Sequence, residues 1–447
     1  MLVNSNKFLI LGISKSGYSA CNYLLSKGAV CYIFEENNSD KIKEKKEELI
    51  SKGAIYLTSE TIENFLNIVD VVVLSPGVPI NHEITIKSKS LGKRIISELE
   101  LGFMLANPKI VGVTGTNGKT TTVSLINSIL SDCGEKSLLL GNVGFPVTEK
   151  INVIDNSTIC VTEISSFQME STVNLRPDIA CVLNISPDHL ERHYTMENYI
   201  FLKRRLLQNL TESEFAILNY DDEVVRDFSK FTKGKIIFVS TKEIVDGAYK
   251  KDDTLYFKNT PIIKTCDLIL QGLHNEYNAL FAIAVSKLLG VNDINISKSL
   301  KNFKGIAHRI QLISEKNGIK VFNDSKATNT SSTISAIDCM KGNTVLILGG
   351  SNKGEDYLEL FNKIKKSSIK HIVFTGETRE ELIKNAVKFG VENFTSTTSF
   401  ESAIITAYMH CGEGDNLLFS PAHASFDNFS GFEERGNSFV KIIGGLS

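Results

Sequence analysis

The sequence predicts an α/β protein of three domains, each built on a sheet of mainly parallel strands. The first reason is length, because 447 residues exceed a single hydrophobic core at about 150 residues per domain. The second is a series of short apolar runs that end in polar loops and alternate with helical patterns. The third is a glycine-rich turn within residues 110–122, where an apolar run leads into a helix that begins with lysine and threonine.

Composition narrows the class of partner. There are 49 Lys and Arg residues against 51 Asp and Glu, so the net charge of −2 favours small ligands over nucleic acid. No stretch of about 18 apolar residues is present, so we expect a soluble protein without membrane insertion. The eight cysteines form no Cys-x-x-Cys pair and lie mostly in apolar runs, as expected for reduced core thiols of a cytoplasmic protein.

The N-terminal unit resembles a nucleotide-binding βαβ unit. A short apolar strand leads into a turn from Gly12 to Gly17, and a helical stripe follows. Glu35 comes after the second strand, about 20 positions beyond the glycines, where an acidic residue holds a ribose in dinucleotide-binding folds. Ser14 replaces the middle glycine, so a dehydrogenase-like site and another nucleotide or phosphate site both stay open. A third strand ends at the same sheet edge in the turn Ser75-Pro76-Gly77.

The glycine-rich turn of the second unit predicts a phosphate cradle. Gly115 and Gly118 allow a tight turn whose N–H groups point inward, and the following helix adds its positive N-terminal end. Lys119 is placed to reach the β- and γ-phosphates, and Thr120 to offer its hydroxyl to Mg²⁺. Val113 stands where the strict pattern has its first glycine, so this is a shortened variant. The alternative is an ordinary strand-turn-helix with a surface lysine.

Two later strand ends of the same unit carry candidate metal ligands. Glu163 follows an apolar strand at 158–162, the placement of a Walker-B metal ligand, although position alone also fits a surface acid. A strand predicted at 179–185 leads to Asp188 and His189, and a histidine considered alone is more often structural. The basic cluster at 203–205 lies on a predicted helix and is expected to be a solvated face.

Breaks in this pattern predict the domain limits. The strand and helix pattern is interrupted around residues 95–108, and a third α/β unit starts near residue 305. Strands of this third unit also end in polar loops, which predicts a ligand edge on one side of its sheet. The predicted domains are therefore 1–97, 98–304 and 305–447.

Taken in order, these motifs resemble the Mur ligases, ATP-dependent amino-acid ligases of peptidoglycan precursor synthesis. The resemblance covers essentially all 447 residues. Within the family, NDSKATN indicates the members that add D-glutamate, because members adding the first alanine or the third residue carry different runs there. The motifs are GTNGKTT, EISSFQ, SPDHLERH, GLHNEYNA, AHRI, NDSKATN and SPAHASFDNFSGFEERG.

The resemblance implies a Rossmann-like N-terminal domain that binds the UDP part of UDP-N-acetylmuramoyl-L-alanine. It implies a central P-loop-type ATPase domain, and a Rossmann-like C-terminal domain that closes over ATP and brings in D-glutamate. Glu35 would lie near the uridine. The other residues matching the UDP-substrate site are Ser14, Lys15, Ser16, Gly17, Ser75, Pro76, Gly77, Asn142 and Ser165.

For the reaction, the resemblance implies two Mg²⁺ ions and catalytic roles for Lys119, Glu163, His189 and Lys203. Thr120 and Glu163 would hold the first metal and His189 the second. Lys203 matches the family lysine that carries a carbamate, which would turn a cation into a carboxylate-like group supporting the second metal. Residues matching the ATP site are Gly115, Thr116, Asn117, Gly118, Lys119, Thr120, Thr121, Asn275, Asn278, Arg309 and Asp324.

The two carboxylates of D-glutamate require cations and hydroxyls in the site that binds it. The residues matching the D-glutamate site are Lys326, Thr328, Lys353, Ser425 and Phe432.

The chain departs from the family at two positions. Ser351 stands where an acid is often found, and His423 replaces a small residue or cysteine and is expected to be a spectator.

A monomer is expected. The alternative functions are another Mur ligase, a folylpolyglutamate synthase, or a nucleotide-gated binding protein without ligase chemistry.

Overall fold

The computed structural model describes residue 3 and residues 6–270, 272–303, 305–351 and 356–446. These residues form two compact units, residues 1–303 and 304–447. The first unit contains two sheets and the second contains one, so the predicted α/β fold with three sheets is confirmed. The division of the first unit into domains at residue 97 stays a prediction.

The first sheet has five parallel strands in the order β3-β2-β1-β4-β5. Its central strands are nearly continuous apolar runs, because helices cover both faces of a parallel sheet. The strands are β1 (Lys7–Leu11), β2 (Val30–Phe34), β3 (Ile55–Tyr56), β4 (Val71–Leu74) and β5 (Arg94–Ser97). The helices are α1 (Lys15–Ser26), α2 (Asp40–Ser51), α3 (Ile62–Leu66), α4 (Glu83–Ser90) and α5 (Glu98–Ala106).

The second sheet has nine strands in the order β14-β13-β12-β11-β10-β9-β6-β8-β7. Seven strands run parallel, and β13 and β14 add an antiparallel edge. The strands are β6 (Lys109–Thr114), β7 (Ser137–Gly141), β8 (Ile159–Glu163), β9 (Ile179–Val182), β10 (Phe215–Asn219), β11 (Lys235–Ser240), β12 (Gly247–Lys251), β13 (Thr254–Phe257) and β14 (Thr260–Lys264).

Helices cover both faces of this second sheet. Side chains of β6 alternate between the faces, so Val111 and Val113 join the core under α6 and α12 while Ile110 joins the core on the other face. The helices are α6 (Lys119–Asp132), α7 (Val147–Lys150), α8 (Ser166–Met169), α9 (Leu190–His193), α10 (Met196–Arg204), α11 (Glu223–Asp227), α12 (Leu273–Leu288) and α13 (Asp293–Asn302). Short 3₁₀ helices lie at Ile151–Val153, Arg205–Leu207, Phe228–Phe231 and Thr265–Asp267.

The second unit contains a six-stranded sheet in the order β15-β16-β20-β17-β18-β19, with β15 antiparallel to the rest. Its strands are β15 (Gln311–Lys316), β16 (Ile319–Asn323), β17 (Thr344–Gly349), β18 (Ile369–Thr375), β19 (Phe394–Ser396) and β20 (Asn416–Phe419). Its helices are α14 (Thr330–Cys339), α15 (Leu358–Lys365), α16 (Arg379–Lys388), α17 (Phe400–Met409) and α18 (Phe432–Leu446).

Two sequence-level expectations can be compared with these elements. All eight cysteines are free thiols, and Cys21, Cys31, Cys160 and Cys181 are buried as expected, whereas Cys266 is exposed. Among the described residues, no helix is both long and apolar enough to span a lipid bilayer.

A buried carboxylate lies between the first and second sheets. Glu98, the first residue of α5, is 2 % exposed and accepts hydrogen bonds from the backbone N–H and the hydroxyl of Thr148, both at 2.7 Å. Burial raises the pKa of Glu98 to about 7, against an opposing effect of the Thr148 hydrogen bonds. The protonated carboxyl is therefore favoured by the folded chain, and stability linked to this group falls as pH rises.

We expect Glu98→Gln to flatten the pH dependence of stability. The folded pKa lies above the unfolded one, so the wild type loses about 3 kcal/mol of stability between pH 4.5 and 7, which glutamine cannot lose. Thermal unfolding of both proteins from pH 5 to pH 8 checks this. The exposed residue Glu47 provides the control variant, Glu47→Gln, which should keep the wild-type slope. A wild-type slope in Glu98→Gln would contradict the assignment.

Candidate functional site

The predicted phosphate cradle connects β6 to α6, and its two glycines have backbone conformations that favour glycine. Gly115 has φ +151° and Gly118 has φ +83°. A Cβ at Gly118 would lie 2.5 Å from Oδ1 of Asn278, and one at Gly115 would lie 2.9 Å from Cβ of Leu183. Both positions are therefore closed to larger residues, by α12 at Gly118 and by the loop after β9 at Gly115.

The loop that follows β9 holds the cradle in place. The N–H groups of Thr116 and Asn117 donate to the backbone and side-chain oxygens of Asn184, at 2.9 and 2.8 Å. The Thr116 hydroxyl accepts from the N–H of Ser186 at 3.0 Å and lies 3.0 Å from the hydroxyl of Tyr199. These bonds give the polar groups of the turn hydrogen-bond partners within the protein and fix the shape of the turn.

Two lysines meet at one carbonyl of this turn. Lys119, the first residue of α6, donates to the carbonyl oxygens of Gly115 and Thr116 at 2.8 and 2.7 Å. Lys203 donates to the same Gly115 oxygen at 2.7 Å and is 2 % exposed. Burial, together with the nearby positive charge of Lys119, lowers the pKa of Lys203 to about 7. The expectation that residues 203–205 form a solvated face is therefore wrong for Lys203, because α10 turns it inward.

Glu163 offers one free carboxylate oxygen beside the cradle. It ends β8, pairs with Val113 of β6, and is 2 % exposed. Its Oε1 accepts from the Asn142 amide at 2.7 Å, whereas Oε2 has no hydrogen-bond partner. A buried carboxylate oxygen without a donor is costly unless a cation binds it, so this oxygen fits a divalent metal. The hydroxyl-bearing residue Thr120 is buried on the first turn of α6.

His189 lies on an exposed turn and is the N-cap of α9. Its backbone is left-handed at φ +53°, its side chain is 46 % exposed, and its ring lies 4.8 Å from that of Phe167. Asp188 and Glu191 lie 3.5 and 3.6 Å from its ring nitrogens. No group of three or more His, Cys, Asp or Glu among the described residues could hold a metal. Side chains of these four types among the described residues therefore do not form a metal site around His189.

The start of α12 packs against the cradle helix. Asn278 is buried, and its Oδ1 accepts from the Thr122 hydroxyl at 3.2 Å. Its amide donates to Oδ1 of Asn275 at 3.2 Å. Thr121 is half-buried on the first turn of α6. The structure therefore brings Asn275 and Asn278 together beside the cradle helix α6.

The N-terminal turn predicted to hold UDP is tightly built. Ser14 is the exposed N-cap of α1, followed by Lys15 and Ser16 on its first turn. A Cβ at Gly17 would lie 1.8 Å from the Gly12 oxygen. Glu35 accepts from the N–H of Ile13 at 2.8 Å, so its carboxylate braces the turn. Lys15 donates to the oxygen of Gly144, in the loop after β7 of the second sheet, at 2.6 Å.

The neighbouring loop contains Ser75, Pro76 and Gly77. The Ser75 hydroxyl donates to the Gly12 oxygen at 2.7 Å, so this loop packs on the turn. Pro76 is half-buried and Gly77 is exposed. Ser165 in the second sheet region uses its hydroxyl in a capping box with Gln168 at the start of α8.

In the second unit, Asp324 is a buried acid at the end of β16. Its Oδ2 accepts from the Ser420 hydroxyl at 2.6 Å and its Oδ1 from the N–H of Ile310 at 3.1 Å. Burial raises the pKa of Asp324 to about 7, opposed by the Ser420 bond and by Arg309 and Lys326. Arg309 is exposed nearby.

The residues predicted to bind D-glutamate lie around the same loop. The Lys326 ammonium is 5.8 Å from the centre of the Phe432 ring, and Phe432 starts α18. Thr328 is half-buried and Ser425 is buried. Lys353 lies outside the described residues. The second unit therefore gathers four of the five predicted residues on two adjacent loops and one helix start.

Arg435 joins these two loops, and sequence reasoning missed it. The guanidinium is 2 % exposed and donates to the hydroxyl and carbonyl oxygens of Ser325, at 3.1 and 2.8 Å. It also donates to the carbonyl oxygens of His423 and Ala424, at 2.9 and 3.0 Å. Burial lowers the pKa of Arg435 to about 10. The motif FEERG was the only available signal, and its spacing does not reveal these partners.

The two departures from the family are accommodated by local bonds. Nδ1 of His423 lies 2.9 Å from the Pro421 oxygen, so Nδ1 is the donor, and Nε2 lies 2.8 Å from the Tyr357 hydroxyl. Both ring nitrogens are thus used within the protein, which agrees with a structural role. The Ser351 hydroxyl accepts from the N–H of Asp427 at 2.8 Å and ties this loop to the chain after β20.

Arg192 and Glu170 also escaped sequence reasoning. Arg192 donates to both carboxylate oxygens of Glu170 and to the Val78 oxygen of the first sheet region. His193 is buried beside them, and its Nε2 lies 2.9 Å from the Ser166 hydroxyl. Arg192 and His193 belong to the motif SPDHLERH, which was identified, but a sequence does not show which residues of it face the neighbouring sheet.

Comparison with protein families finds three consecutive matches. Residues 6–97 match "Mur ligase MurD-like, N-terminal domain". Residues 113–286 match "Mur ligase middle domain", and residues 308–423 match "Mur ligase, glutamate ligase domain".

Curated relatives match over the whole chain. UDP-N-acetylmuramoylalanine--D-glutamate ligase of Caldanaerobacter subterraneus subsp. tengcongensis is 38% identical over 446 residues, 99% of each chain. The protein of that name from Bacillus thuringiensis is 36% identical over 443 residues, 98% of this chain and 97% of the relative.

Solved structures with the same fold are more distant. UDP-N-acetylmuramate-alanine ligase from Thermotoga maritima aligns with a TM-score of 0.58 at 16% identity, covering 99% of this chain and 100% of the other. MurF from Acinetobacter baumannii aligns with a TM-score of 0.61 at 17% identity, covering 93% and 91%. At such identities the likeness establishes the fold alone.

We expect Gly118→Ala to abolish stabilisation by Mg²⁺-ATP. The new methyl group would displace Asn278 and distort the cradle. Gly134→Ala is a matched control at the other end of α6, because Gly134 has φ +79° and no atom lies within 4 Å of the place its Cβ would take. Both variants should lose about 1–2 kcal/mol from the positive φ, but only Gly134→Ala should keep the ATP-induced shift in melting temperature. Equal shifts in both would contradict this geometry.

Proposed function

The chain belongs to the Mur ligase family, and we propose that it adds D-glutamate to UDP-N-acetylmuramoyl-L-alanine with hydrolysis of ATP, in peptidoglycan precursor synthesis. The observation that carries the proposal is the unpartnered Glu163 oxygen on the strand beside the lysine-bearing cradle. Full-length relatives named as D-glutamate ligases support the choice of substrates. ATP as the energy source follows from the family, whereas the Mg²⁺ sites are part of the proposal.

The reaction has two steps. The carboxylate of the L-alanine arm attacks the γ-phosphorus of ATP, forms an acyl phosphate and releases ADP. The amine of D-glutamate then attacks the acyl carbon, an amide bond forms, and phosphate leaves while the amine loses a proton. Activation is needed because a carboxylate is a poor electrophile and phosphorylation supplies a leaving group.

Positive groups of the protein would offset the repulsion between the substrate carboxylate and the phosphates of ATP. The ammonium of Lys119 is held at the mouth of the cradle, where it can exchange its carbonyl partners for phosphate oxygens. The backbone N–H groups at the start of α6 and the positive end of that helix face the same place. Together they provide positioning and charge stabilisation for phosphoryl transfer.

We assign the metal ligands from the oxygen and nitrogen atoms that the side chains near the cradle offer. Thr120 and the free oxygen of Glu163 would hold the first Mg²⁺, with Asn142 fixing the Glu163 carboxylate. His189 and Lys203 would hold the second, provided that Lys203 carries a carbamate. Only a neutral amine reacts with CO₂, and burial, which lowers the pKa of Lys203 to about 7, favours that form. Bound Mg²⁺ would supply charge neutralisation and orientation of the phosphate oxygens.

The remaining assignments also belong to the proposal. Asn275, Asn278, Arg309 and Asp324 complete the ATP site. The UDP part would bind the turn at residues 14–17, Glu35 and residues 75–77, with Asn142 and Ser165 on the sugar or alanine arm. The residues assigned to D-glutamate are Lys326, Thr328, Lys353, Ser425 and Phe432.

A cytoplasmic monomer completes the proposal. ATP and reduced thiols both favour the cytoplasm, and all eight cysteines are free. Analytical ultracentrifugation of the purified chain would test the monomer directly.

We expect release of ADP that requires both UDP-N-acetylmuramoyl-L-alanine and D-glutamate. Lys119→Ala should lower kcat/KM by about 100-fold or more, because a cation on the transferring phosphoryl group is removed. Glu163→Gln should raise the Mg²⁺ concentration needed for half-maximal rate. The assay couples ADP release to mass analysis of the product.

Three results would count against this function. Turnover with L-glutamate, meso-diaminopimelate or L-lysine in place of D-glutamate would indicate another Mur ligase or a folylpolyglutamate synthase. ATP binding without any acceptor-dependent ADP release would indicate a nucleotide-gated binding protein. Undiminished turnover in Lys119→Ala would contradict the assigned site.

We expect Lys203 to take up CO₂. With ¹³C-bicarbonate and Mg²⁺, the wild-type chain should give one carbamate carbon signal by NMR, and Lys203→Arg should give none. Lys250→Arg is the control, because Lys250 is half-buried but paired with Glu276 at 3.0 Å. A signal that persists in Lys203→Arg, or no signal in the wild type, would contradict the carbamate.

A further inference from the structure

We propose that Arg192 is a positioning residue that holds residues 75–78 of the first sheet region in register with the catalytic turns of the second. We name residues 75–78 the nucleotide loop. The inference rests on the proposed function, since it concerns how the UDP end of that substrate is placed. Arg192 is not proposed to contact the substrate.

The contacts of Arg192 cross from one sheet region to the other. Its Nε and Nη2 donate to the two carboxylate oxygens of Glu170, at 3.0 and 2.7 Å. Nη2 also donates to the Val78 oxygen at 3.0 Å and approaches the Pro76 oxygen at 3.5 Å. The Glu170 side chain is 5 % exposed and that of Arg192 17 %, so the pair is largely withdrawn from solvent. Such charge-assisted, two-point bonds are stronger and more directional than exposed ion pairs.

Both members of the pair are attached to the candidate catalytic turns. Arg192 lies on the single turn of α9, three residues after His189. Glu170 is the C-cap of α8, the helix that follows the strand ending in Glu163. The Arg192 guanidinium lies 5.1 Å from the centre of the Phe167 ring, and that ring contacts the ring of His189. Phe167 therefore contacts both Arg192 and His189.

On its other side, the nucleotide loop is attached to the turn proposed for the diphosphate. The Ser75 hydroxyl donates to the Gly12 oxygen, and the N–H of Val78 donates to the Ser75 oxygen at 3.0 Å. A Cβ at Gly12 would lie 2.9 Å from a Val78 methyl carbon, so the two segments are in close contact. Displacing the Val78 carbonyl would therefore disturb the whole binding surface for the nucleotide.

The position of the nucleotide loop relative to the second sheet region matters because of the substrate. Under the proposed function, its uridine end binds the first sheet region and its reacting carboxylate the second, so one molecule must fit both. A misplacement of about 1 Å at a reacting group costs roughly 100-fold in rate. A guanidinium can bind a carboxylate with two N–H groups and also reach a carbonyl, whereas a lysine ammonium lacks the planar fork.

The test measures binding and turnover separately in the full-length chain. Calorimetry with UDP-N-acetylmuramoyl-L-alanine should give a Kd about tenfold higher for Arg192→Ala and an intermediate value for Arg192→Lys. The Kd for ADP should stay within about twofold of the wild type, because the cradle is untouched. At saturating substrates, kcat should also fall in both variants.

Arg205→Lys is the matched control. Arg205 is also a half-buried arginine that donates to carbonyl oxygens, those of Met169, Glu170 and Thr172, but all three acceptors belong to its own sheet region. It should change thermal stability as much as Arg192→Lys does without changing the Kd for the UDP substrate.

The outcomes separate this inference from the proposed function. An unchanged Kd for the UDP substrate in Arg192→Ala, or an equal rise in the Kd for ADP, would overturn the inference. An equal rise in Arg205→Lys would also overturn it, as would failure of the wild type to bind the UDP substrate. Normal binding with no D-glutamate-dependent turnover in the wild type would overturn the proposed function alone.

Discussion

The geometry of the cradle depends on hydrogen bonds between the loop after β6 and the loop after β9. A glycine-rich turn has few side chains to pack, so its shape is set by where its backbone groups find partners. Here Asn184 and Ser186 supply those partners, and Tyr199 lies beside the Thr116 hydroxyl. The same bonds bring the end of β9 beside the cradle, and the adjacent end of β8 places Glu163 on its other side.

Much of the fold could be predicted because parallel strands buried on both faces are continuous apolar runs with polar loops at their ends. The strand predicted at 158–162 shows this, since it is observed as β8 at Ile159–Glu163. The antiparallel edge β12 to β14 was not resolved from sequence, because its short strands lack a clear alternation of apolar and polar residues.

The candidate site was only partly predictable. Local patterns identified Lys119 and Glu163, because a glycine turn and a strand end are defined by consecutive residues. Lys203 lies in a run of three basic residues that is typical of a solvated face, and only packing of α10 against the cradle shows that it is buried. Arg192 and Arg435 bond to residues more than ten positions away in sequence, so their partners follow from tertiary structure.

The shared carbonyl of Gly115 has a consequence for the catalytic cycle. The amino groups of Lys119 and Lys203 both donate to this one oxygen, which serves as the partner that a bound phosphate would otherwise provide. Under the proposed function, a phosphate of ATP would compete with that oxygen for Lys119, which would lower the net affinity by the free energy of the exchange. The ammonium would regain its carbonyl partners when ADP leaves, which would lower the cost of release. Such a loop would favour repeated turnover over tight retention of the nucleotide.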